Sequence, residues 1–256
     1  MKFILTLLIS FLSLLFFSCQ KEFSATIDPT KVDTTGTTPS SNKIKTYTED
    51  ITAGGLHVVV TFNVAYDASD RVISLTSASS PGDKFLYTYN SNNTIELDLY
   101  NSNVITIHEI FFLNSSSLLD STFQYNDTQD TSTEKYIYNA SKQLIQVNQY
   151  DYTTATGSVL DDVLNYTYDA MGNVIKEQST FTTTTFDYYD TINNLLLFPY
   201  LSIKPTHLIK TTKITNSGTM NTINHTYTFD NKNRVISEKQ EVAGSSEVVI
   251  RSYTYY

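Results

Sequence analysis

The stretch YTYDAMGNVI, from Tyr166 to Ile175, decides the fold, because variants of the same ten residues occur four more times in the chain. The other copies are VAYDASDRVI (64–73), YTYNSNNTIE (87–96), YIYNASKQLI (136–145) and YTFDNKNRVI (227–236). In each copy an aromatic third residue precedes Asp or Asn, two loop residues, a seventh residue, a polar residue and then aliphatic residues. No other pattern in the chain repeats as well.

Turn chemistry explains this pattern without a ligand. The fourth residue can start a turn, because an Asp or Asn side chain accepts hydrogen bonds from nearby backbone N–H groups; these residues are Asp67, Asn90, Asn139, Asp169 and Asp230. The seventh residue suits the positive φ that closes a type I turn with a G1 bulge; these residues are Asp70, Asn93, Lys142, Gly172 and Asn233, of which only Lys142 is an unusual type there. We therefore assign Gly172, Asn233 and the five fourth-position residues a structural role in hairpin turns.

Strand patterns flank these turns. Apolar side chains alternate with polar ones from Val58 to Tyr66, from Leu164 to Tyr168 and from Ile223 to Phe229, as in strands with one buried face. The copies are irregularly spaced, which disfavours a regular solenoid. The sequence predicts an all-β fold: an antiparallel meander of about 10–13 strands curled into a half-barrel or barrel. We assign residues 47–256 to this single domain.

One apolar segment does not fit the strand pattern. The stretch TINNLLLFPYLSIKP, from Thr191 to Pro205, is apolar and ends in prolines. We predict a loop or short helix there, packed over the open end or the apolar face of the sheet.

The N-terminus indicates a secretory route. After Lys2 comes an apolar run that ends at Ser18, which is typical of a signal peptide. The following residue, Cys19, is the only cysteine, so the chain can form no internal disulfide. The stretch from Phe16 to Cys19 resembles a bacterial lipobox, in which the cysteine is lipidated, for example with palmitate, and becomes the mature N-terminus. We therefore predict a signal peptide over residues 1–18, and a lipidated Cys19 with a flexible Ser/Thr/Pro-rich tether over residues 19–46.

The motifs carry a family resemblance. Tyr-x-Tyr-Asp-x-x-Gly-Asn-Val-Ile resembles the tyrosine-aspartate (YD, Rhs-type) repeat. The lipobox, the tether, the repeated hairpins, a YYD segment at 188–190 and the terminal YTYY (253–256) together resemble a Bacteroidota lipoprotein family of unknown function with a porin-like β fold. The QKE that follows Cys19 is similar to the short signals that send such lipoproteins to the cell surface. The resemblance implies an outer-membrane lipoprotein facing the cell exterior, and it implies no activity.

Charge and motifs exclude several functions. The formal net charge is −9 and there is no basic block, which argues against a nucleic-acid partner. His57, His108, His207 and His225 lack metal-ligand spacing, although His225 shares an apolar face with Tyr227. The sequence contains no catalytic signature. We expect no enzyme activity, no catalytic or metal site and no cofactor.

Three functions remain open at this stage. The first is a membrane-anchored, non-enzymatic binding module for glycan, lipid or protein, since exposed tyrosines can stack on sugars and buried ones can line a cavity. The second is a structural or accessory envelope protein without a small ligand. The third is an integral outer-membrane β-barrel, which aromatic girdles and strand alternation would suit.

Overall fold

The structure, a computed structural model, describes residues 42–126, 131–153, 157–193, 195 and 205–256. The predicted signal peptide, Cys19 and most of the predicted tether lie outside these residues. The described chain forms sixteen strands: β1 (Ile44–Ala53), β2 (Leu56–Tyr66), β3 (Val72–Ser77), β4 (Lys84–Tyr89), β5 (Thr94–Asn101), β6 (Val104–Leu113), β7 (Leu119–Asn126), β8 (Thr131–Tyr138), β9 (Leu144–Thr153), β10 (Gly157–Tyr168), β11 (Val174–Gln178), β12 (Thr182–Ile192), β13 (His207–Asn216), β14 (Thr219–Phe229), β15 (Val235–Val242) and β16 (Val248–Tyr255).

The strands form one closed antiparallel barrel. Each pairs with its neighbours in sequence, and β16 pairs with β1 to close the sheet. The predicted meander that closes into a barrel is confirmed. The strand number, sixteen, exceeds the predicted ten to thirteen, because outgoing strands as short as the five residues of β11 show no clear alternation in the sequence. The first strand begins at Ile44, three residues before the predicted start of the domain at 47.

The register puts apolar side chains on the inner face of the barrel. Phe62 lies opposite Tyr47, and Val64 lies opposite Leu75, and all four side chains are buried. These residues belong to a core cluster that spans strands from both ends of the chain, including Tyr253. Since side chains alternate between the faces of a strand, the residues between them point outward.

Six turns share one backbone geometry and lie at one end of the barrel. They connect an even-numbered strand to the next odd-numbered one, and their seventh residues have φ between 58° and 85°: Asp70, Asn93, Ser117, Lys142, Gly172 and Asn233. Lys142, the unusual type, adopts φ 60° like the others. The turn at Asn114 and Ser117 is a copy that sequence comparison missed, because Leu113 replaces the aromatic third residue. We call this end the bulged-turn end.

The opposite end has a different kind of turn. Three of its connections are two-residue turns with positive φ at both positions, at Gly54–Gly55, Ser102–Asn103 and Ser217–Gly218. This is the type I′ geometry that matches the twist of paired strands. We call it the distal end. Ile44 begins β1 at the bulged-turn end, so the chain preceding the barrel reaches it there.

The aromatic third residue of the repeat links neighbouring hairpins. The Tyr168 hydroxyl donates to the Leu144 carbonyl at 2.7 Å, and Leu144 is the ninth residue of the preceding copy. The same bond, from a tyrosine at or near the end of an even-numbered strand to the carbonyl of the first residue of the strand before it, occurs in five more places, the last two of them from tyrosines outside the repeat: Tyr66 to Ile44, Tyr89 to Val72, Tyr138 to Leu119, Tyr188 to Val174 and Tyr255 to Val235. We call these bonds the tyrosine clamps. They satisfy carbonyls next to the bulges at the bulged-turn end.

The apolar segment from Thr191 to Pro205 is described only in part. Thr191 belongs to β12, Leu195 packs against the core cluster and Pro205 is buried. The remainder of the predicted loop or helix lies outside the described residues. No helix within the described part of the chain has the length and apolar character needed to cross a membrane.

Candidate functional site

The turn residues singled out from the sequence hold their own loops. In the copy from Tyr166 to Ile175, Asp169 Oδ1 accepts from the backbone N–H groups of Met171 at 2.9 Å and Asn173 at 2.8 Å. Burial opposes ionisation of Asp169, yet hydrogen bonds from the side chain and backbone of Asn173 lower its pKa below the ordinary range. Asp67, Asn139 and Asp230 accept the same pair of backbone bonds.

Asn90 uses its side chain differently. Its Nδ2 donates to Thr94 Oγ1 at 3.2 Å and to Glu96 at 2.9 Å. Its backbone N–H still donates to the Thr94 carbonyl, as in the other turns. The side chains of these predicted turn residues thus hydrogen-bond to groups within or next to their own turns.

A buried polar network crosses the seam of the barrel. Arg251 on β16 donates from Nε to Glu49 on β1 at 3.0 Å and from Nη1 to Glu238 on β15 at 3.3 Å. Tyr47 donates to Glu49, and Gln240 donates to Glu238 at 3.0 Å. Arg251 and both carboxylates are at least nine-tenths buried. The network therefore fastens the first strand to the last two from inside the barrel.

His225 extends this network to β13. Its Nδ1 lies 2.9 Å from Glu238 and its Nε2 lies 3.0 Å from Thr212 Oγ1. Burial disfavours ionised Glu238, but the hydrogen bond from His225 and the charge of Arg251 outweigh it and lower the pKa to about 2. An anion held this firmly is a weak base. The sequence had singled out His225 on the apolar face, and its partners are those of a structural histidine.

A second group of inward carboxylates lies across the barrel. Burial, with the charge of Glu134 as a smaller cause, raises the pKa of Glu109 to about 8. Burial raises the pKa of Glu177 to about 7, against a lowering hydrogen bond from Tyr166. Glu134 accepts from Tyr136 and from Gln149. The inner face thus combines apolar side chains with carboxyl groups that favour the neutral form.

The remaining histidines each have a local partner. His57 lies 2.8 Å from Asp50, His108 lies 2.5 Å from Asp98, and His207 contacts Asn173. Among the described residues, no three His, Cys, Asp or Glu side chains are grouped so that they could hold a metal ion.

The outer face mixes polar and charged residues with exposed apolar ones such as Val59, Phe112 and Ile137. Charged residues of both signs point outward near the middles of their strands: Asp98, Lys135, Asp187, Lys213 and Lys239. Between them stand threonines such as Thr48 and Thr61, whose hydroxyls are 2.9 Å apart across β1 and β2. Hydrocarbon does not solvate such a surface.

An exposed aromatic group interrupts this polar wall on β7, β8 and β9. Thr131 lies opposite both Tyr125 and Tyr152, and Thr133 lies opposite both Phe123 and Tyr150. We call these six outward residues the aromatic track. Two short threonines on β8 form its floor, and aromatic side chains on both neighbouring strands form its walls. Tyr125 is 43% exposed and Tyr152 is 49% exposed.

Sequence reasoning missed the track because it depends on register between strands. FQY (123–125) and YDY (150–152) place aromatic residues two apart, a spacing also present in four of the five inward-facing copies of the repeat. YDY is followed by Thr153 instead of Asp or Asn, but FQY is followed by Asn126 as in the repeat, so the sequence alone does not separate this pair from an inward one.

Comparison with known proteins supports the fold. No protein-family model matches the chain, and no curated protein is similar to it. A porin-like protein from Bacteroides uniformis has a similar structure, with a TM-score of 0.61 and 15% identity, over 86% of this chain and 100% of that one. A porin-like protein from Bacteroides vulgatus gives a TM-score of 0.58 and 10% identity, over 83% and 98% of the two chains. At these identities the likeness establishes a shared porin-like barrel fold.

Proposed function

We propose that this protein is a lipid-tethered outer-membrane protein whose barrel stands outside the bilayer, faces the cell exterior and binds a ligand there without catalysing a reaction. The observation that carries the proposal is the polarity of the barrel wall. The inner face holds the buried core cluster and paired or neutral polar groups, whereas charged residues of both signs and threonines point outward near the middles of the strands.

The alternative of an integral outer-membrane barrel draws support from the fold comparison. Both similar structures are described as porin-like, and sixteen strands suit a membrane barrel. An integral barrel nevertheless needs an outward apolar band about 25 Å tall and a polar lumen. In this chain Asp98, Lys213 and Lys239 would face lipid near the middles of their strands, at a cost of roughly 2–4 kcal/mol for each lysine at the midplane. The wall chemistry therefore favours a barrel in water.

The predicted anchor suits a tethered barrel. Lipidation at Cys19 would fix the chain to a bilayer, and residues 20–43 would separate the lipid from Ile44. Since Ile44 lies at the bulged-turn end, the distal end would point away from the membrane. This arrangement presents the distal half of the outer wall to the cell exterior.

The polar network at the seam supports a structural role for its residues and therefore a binding role for the barrel. His225 contacts Glu238 and Thr212, and Arg251 donates from Nε to Glu49 and from Nη1 to Glu238. Such a network stabilises the barrel, and its carboxylate Glu238, with a pKa lowered to about 2, is a weak general base. The alternative of a structural or accessory envelope protein without a small ligand differs from our proposal in one respect: it assigns no function to the aromatic track.

Membrane fractionation tests this proposal. The full chain is compared with a variant in which a signal peptide cleaved without lipidation replaces residues 1–19. We expect the full chain in the outer-membrane fraction and the variant in the soluble fraction, folded without detergent. A variant that stays in the membrane through an alkaline wash would establish the integral barrel instead. Protease treatment of intact cells tests orientation, and a protected barrel would contradict the exterior placement.

A further inference from the structure

We propose that the aromatic track binds a carbohydrate chain, an inference that rests on the proposed function and names its ligand class. The track consists of Phe123, Tyr125, Thr131, Thr133, Tyr150 and Tyr152, as defined above. It is a surface of β7, β8 and β9 on which ring faces and hydroxyl groups alternate at the spacing of paired strands.

The geometry sets the size of the ligand. Neighbouring strands lie about 4.8 Å apart, so the aromatic walls on β7 and β9 are separated by roughly 10 Å. Tyr125, Thr131 and Tyr152 form one rung across the track, and Phe123, Thr133 and Tyr150 form the next on the same face. The two rungs extend the aromatic surface along the strands.

The floor of the track has an unused hydrogen-bonding group. Thr131 Oγ1 is buried and has no hydrogen-bond partner among the described residues. A buried hydroxyl without a partner is disfavoured. A ligand hydroxyl that reaches it between the aromatic side chains would therefore gain more binding free energy than one that bonds to a group already hydrated by water. At the far end of the track, Lys135 and Asn148 form the next rung and offer further polar groups.

Carbohydrate is the ligand class that uses both kinds of group. Sugar rings present C–H faces to aromatic rings and hydroxyl edges to polar side chains, as the walls and floor of the track require. An extended peptide would bind an open strand edge, but all sixteen strands are paired on both sides. An acyl chain would leave Thr131 and Thr133 without partners. The net charge of −9 disfavours nucleic acid.

The position of the track fits a ligand outside the cell. Tyr125 lies near the end of β7, and Thr131 is the first residue of β8. Because all odd-numbered strands run in one direction, this is the distal end, at which β1 also ends before Gly54. The tether would therefore hold the track away from the membrane.

A tryptophan reporter tests the inference directly. The chain contains no tryptophan, so Tyr152→Trp introduces a single indole into the track of the full lipidated protein. Phe181→Trp, at a 69% exposed position between β11 and β12, is the matched control. Both proteins, in detergent micelles, are titrated with hexasaccharides of glucose, xylose, mannose and N-acetylglucosamine. We expect a saturable emission change for at least one sugar in the track variant and none in the control.

Further substitutions separate stacking from folding. In the Tyr152→Trp background, Tyr125→Ala removes one wall and Thr131→Val removes the hydroxyl while it keeps the side-chain shape. We expect each to weaken sugar binding about tenfold with unchanged circular dichroism. Equal affinity after both changes would overturn the track as the site.

The outcomes also distinguish this inference from the proposed function. No response to any of the four sugars would overturn the carbohydrate assignment, while the fractionation result would still stand. A response of the reporter to vesicles of phosphatidylethanolamine and phosphatidylglycerol, without one to sugars, would assign the track to lipid instead. A non-lipidated barrel that remains in the membrane would overturn the proposed function independently of the titrations.

Discussion

Arg251 and Glu49, which are 202 positions apart in sequence, are 3.0 Å apart where the last strand of the barrel pairs with the first. Arg251 also contacts Glu238. One guanidinium on β16 therefore binds two buried carboxylates, one on each neighbouring strand. A meander closes only when its two end strands meet. Loop-closure entropy opposes this contact more strongly than it opposes the pairing of two strands within a hairpin. The ion pair therefore lies where closure is hardest to achieve.

The first prediction concerns this network. Arg251→Met should lower the free energy of unfolding by about 3–5 kcal/mol, because it leaves Glu49 and Glu238 buried without their cation. Urea unfolding followed by circular dichroism measures the change. The combination of Arg251→Met with Glu49→Gln and Glu238→Gln removes the orphaned charges and should recover much of the loss. If the triple variant is no more stable than the single one, the carboxylates are not the source of the cost.

The second prediction concerns pH. The pKa of Glu109 is raised to about 8 by burial, so the folded protein retains a proton that the unfolded chain releases at lower pH. Stability should therefore fall as pH rises from about 4.5 to about 8. Glu109→Gln should abolish this component, leaving stability at pH 5 nearly unchanged and raising it at pH 8 by roughly 2 kcal/mol.

The control for this prediction is an exposed carboxylate. Asp151→Asn changes the same charge at an exposed position of β9 and should leave the pH profile of unfolding in place. A profile identical for wild type and Glu109→Gln would show that Glu109 does not carry the alkaline loss.

The third prediction concerns the tyrosine clamps. Tyr168→Phe removes the hydroxyl that donates to the Leu144 carbonyl at 2.7 Å and should lower stability by about 1 kcal/mol. Tyr152→Phe, at a 49% exposed position, removes a hydroxyl of the same kind from the outer wall and should change stability by less than about 0.5 kcal/mol. If the two substitutions change the free energy of unfolding in urea equally, the tyrosine clamps do not contribute to stability.

Local chemistry explains what the sequence could predict. The turns at Asp67, Asn139, Asp169 and Asp230 are recognisable because side chain and backbone interact within five residues. The burial of Phe62 and Val64 follows from alternation along one strand. Neither the turns nor this burial pattern requires knowledge of which strands are neighbours in the sheet.

Long-range register explains what the sequence could not predict. The aromatic track exists because Thr131 is opposite both Tyr125 and Tyr152. A shift of one residue in the register of a strand would turn its side chains to the opposite face of the barrel wall. The pairing of Glu49 with Arg251 depends on every intervening strand. The tyrosine clamps likewise connect neighbouring strands across hairpins, as Tyr168 does with Leu144 of the preceding copy, so no single copy of the repeat reveals them.

The fourth prediction separates hydrogen bonding from charge in the repeat. Asp169→Ala removes the acceptor of the Met171 and Asn173 N–H groups and should lower stability by about 1–2 kcal/mol. Asp169→Asn keeps an acceptor for both N–H groups, as Asn139 does in its own turn, but loses the Oδ2 acceptor of Asn173 Nδ2, so it should lower stability by less than Asp169→Ala at pH 7. Because the pKa of Asp169 is lowered in the folded state, its contribution is lost as pH falls through that pKa, so Asn should also flatten the acid side of the profile. Thermal unfolding at pH 7 and pH 3 distinguishes the two effects.

The fifth prediction concerns the residue that closes the same turn. Gly172 has φ 85°, in the left-handed region that β-branched side chains avoid. Gly172→Val should therefore lower stability by about 1 kcal/mol or more. Gly172→Asn places there the residue type found at 93 and 233, where φ is 60° and 59°, and should cost much less. Sugar binding at the aromatic track should remain unchanged in both variants under conditions in which they are folded, since the turn lies at the bulged-turn end. A binding defect in folded Gly172→Asn would show that the repeat contributes more than a turn.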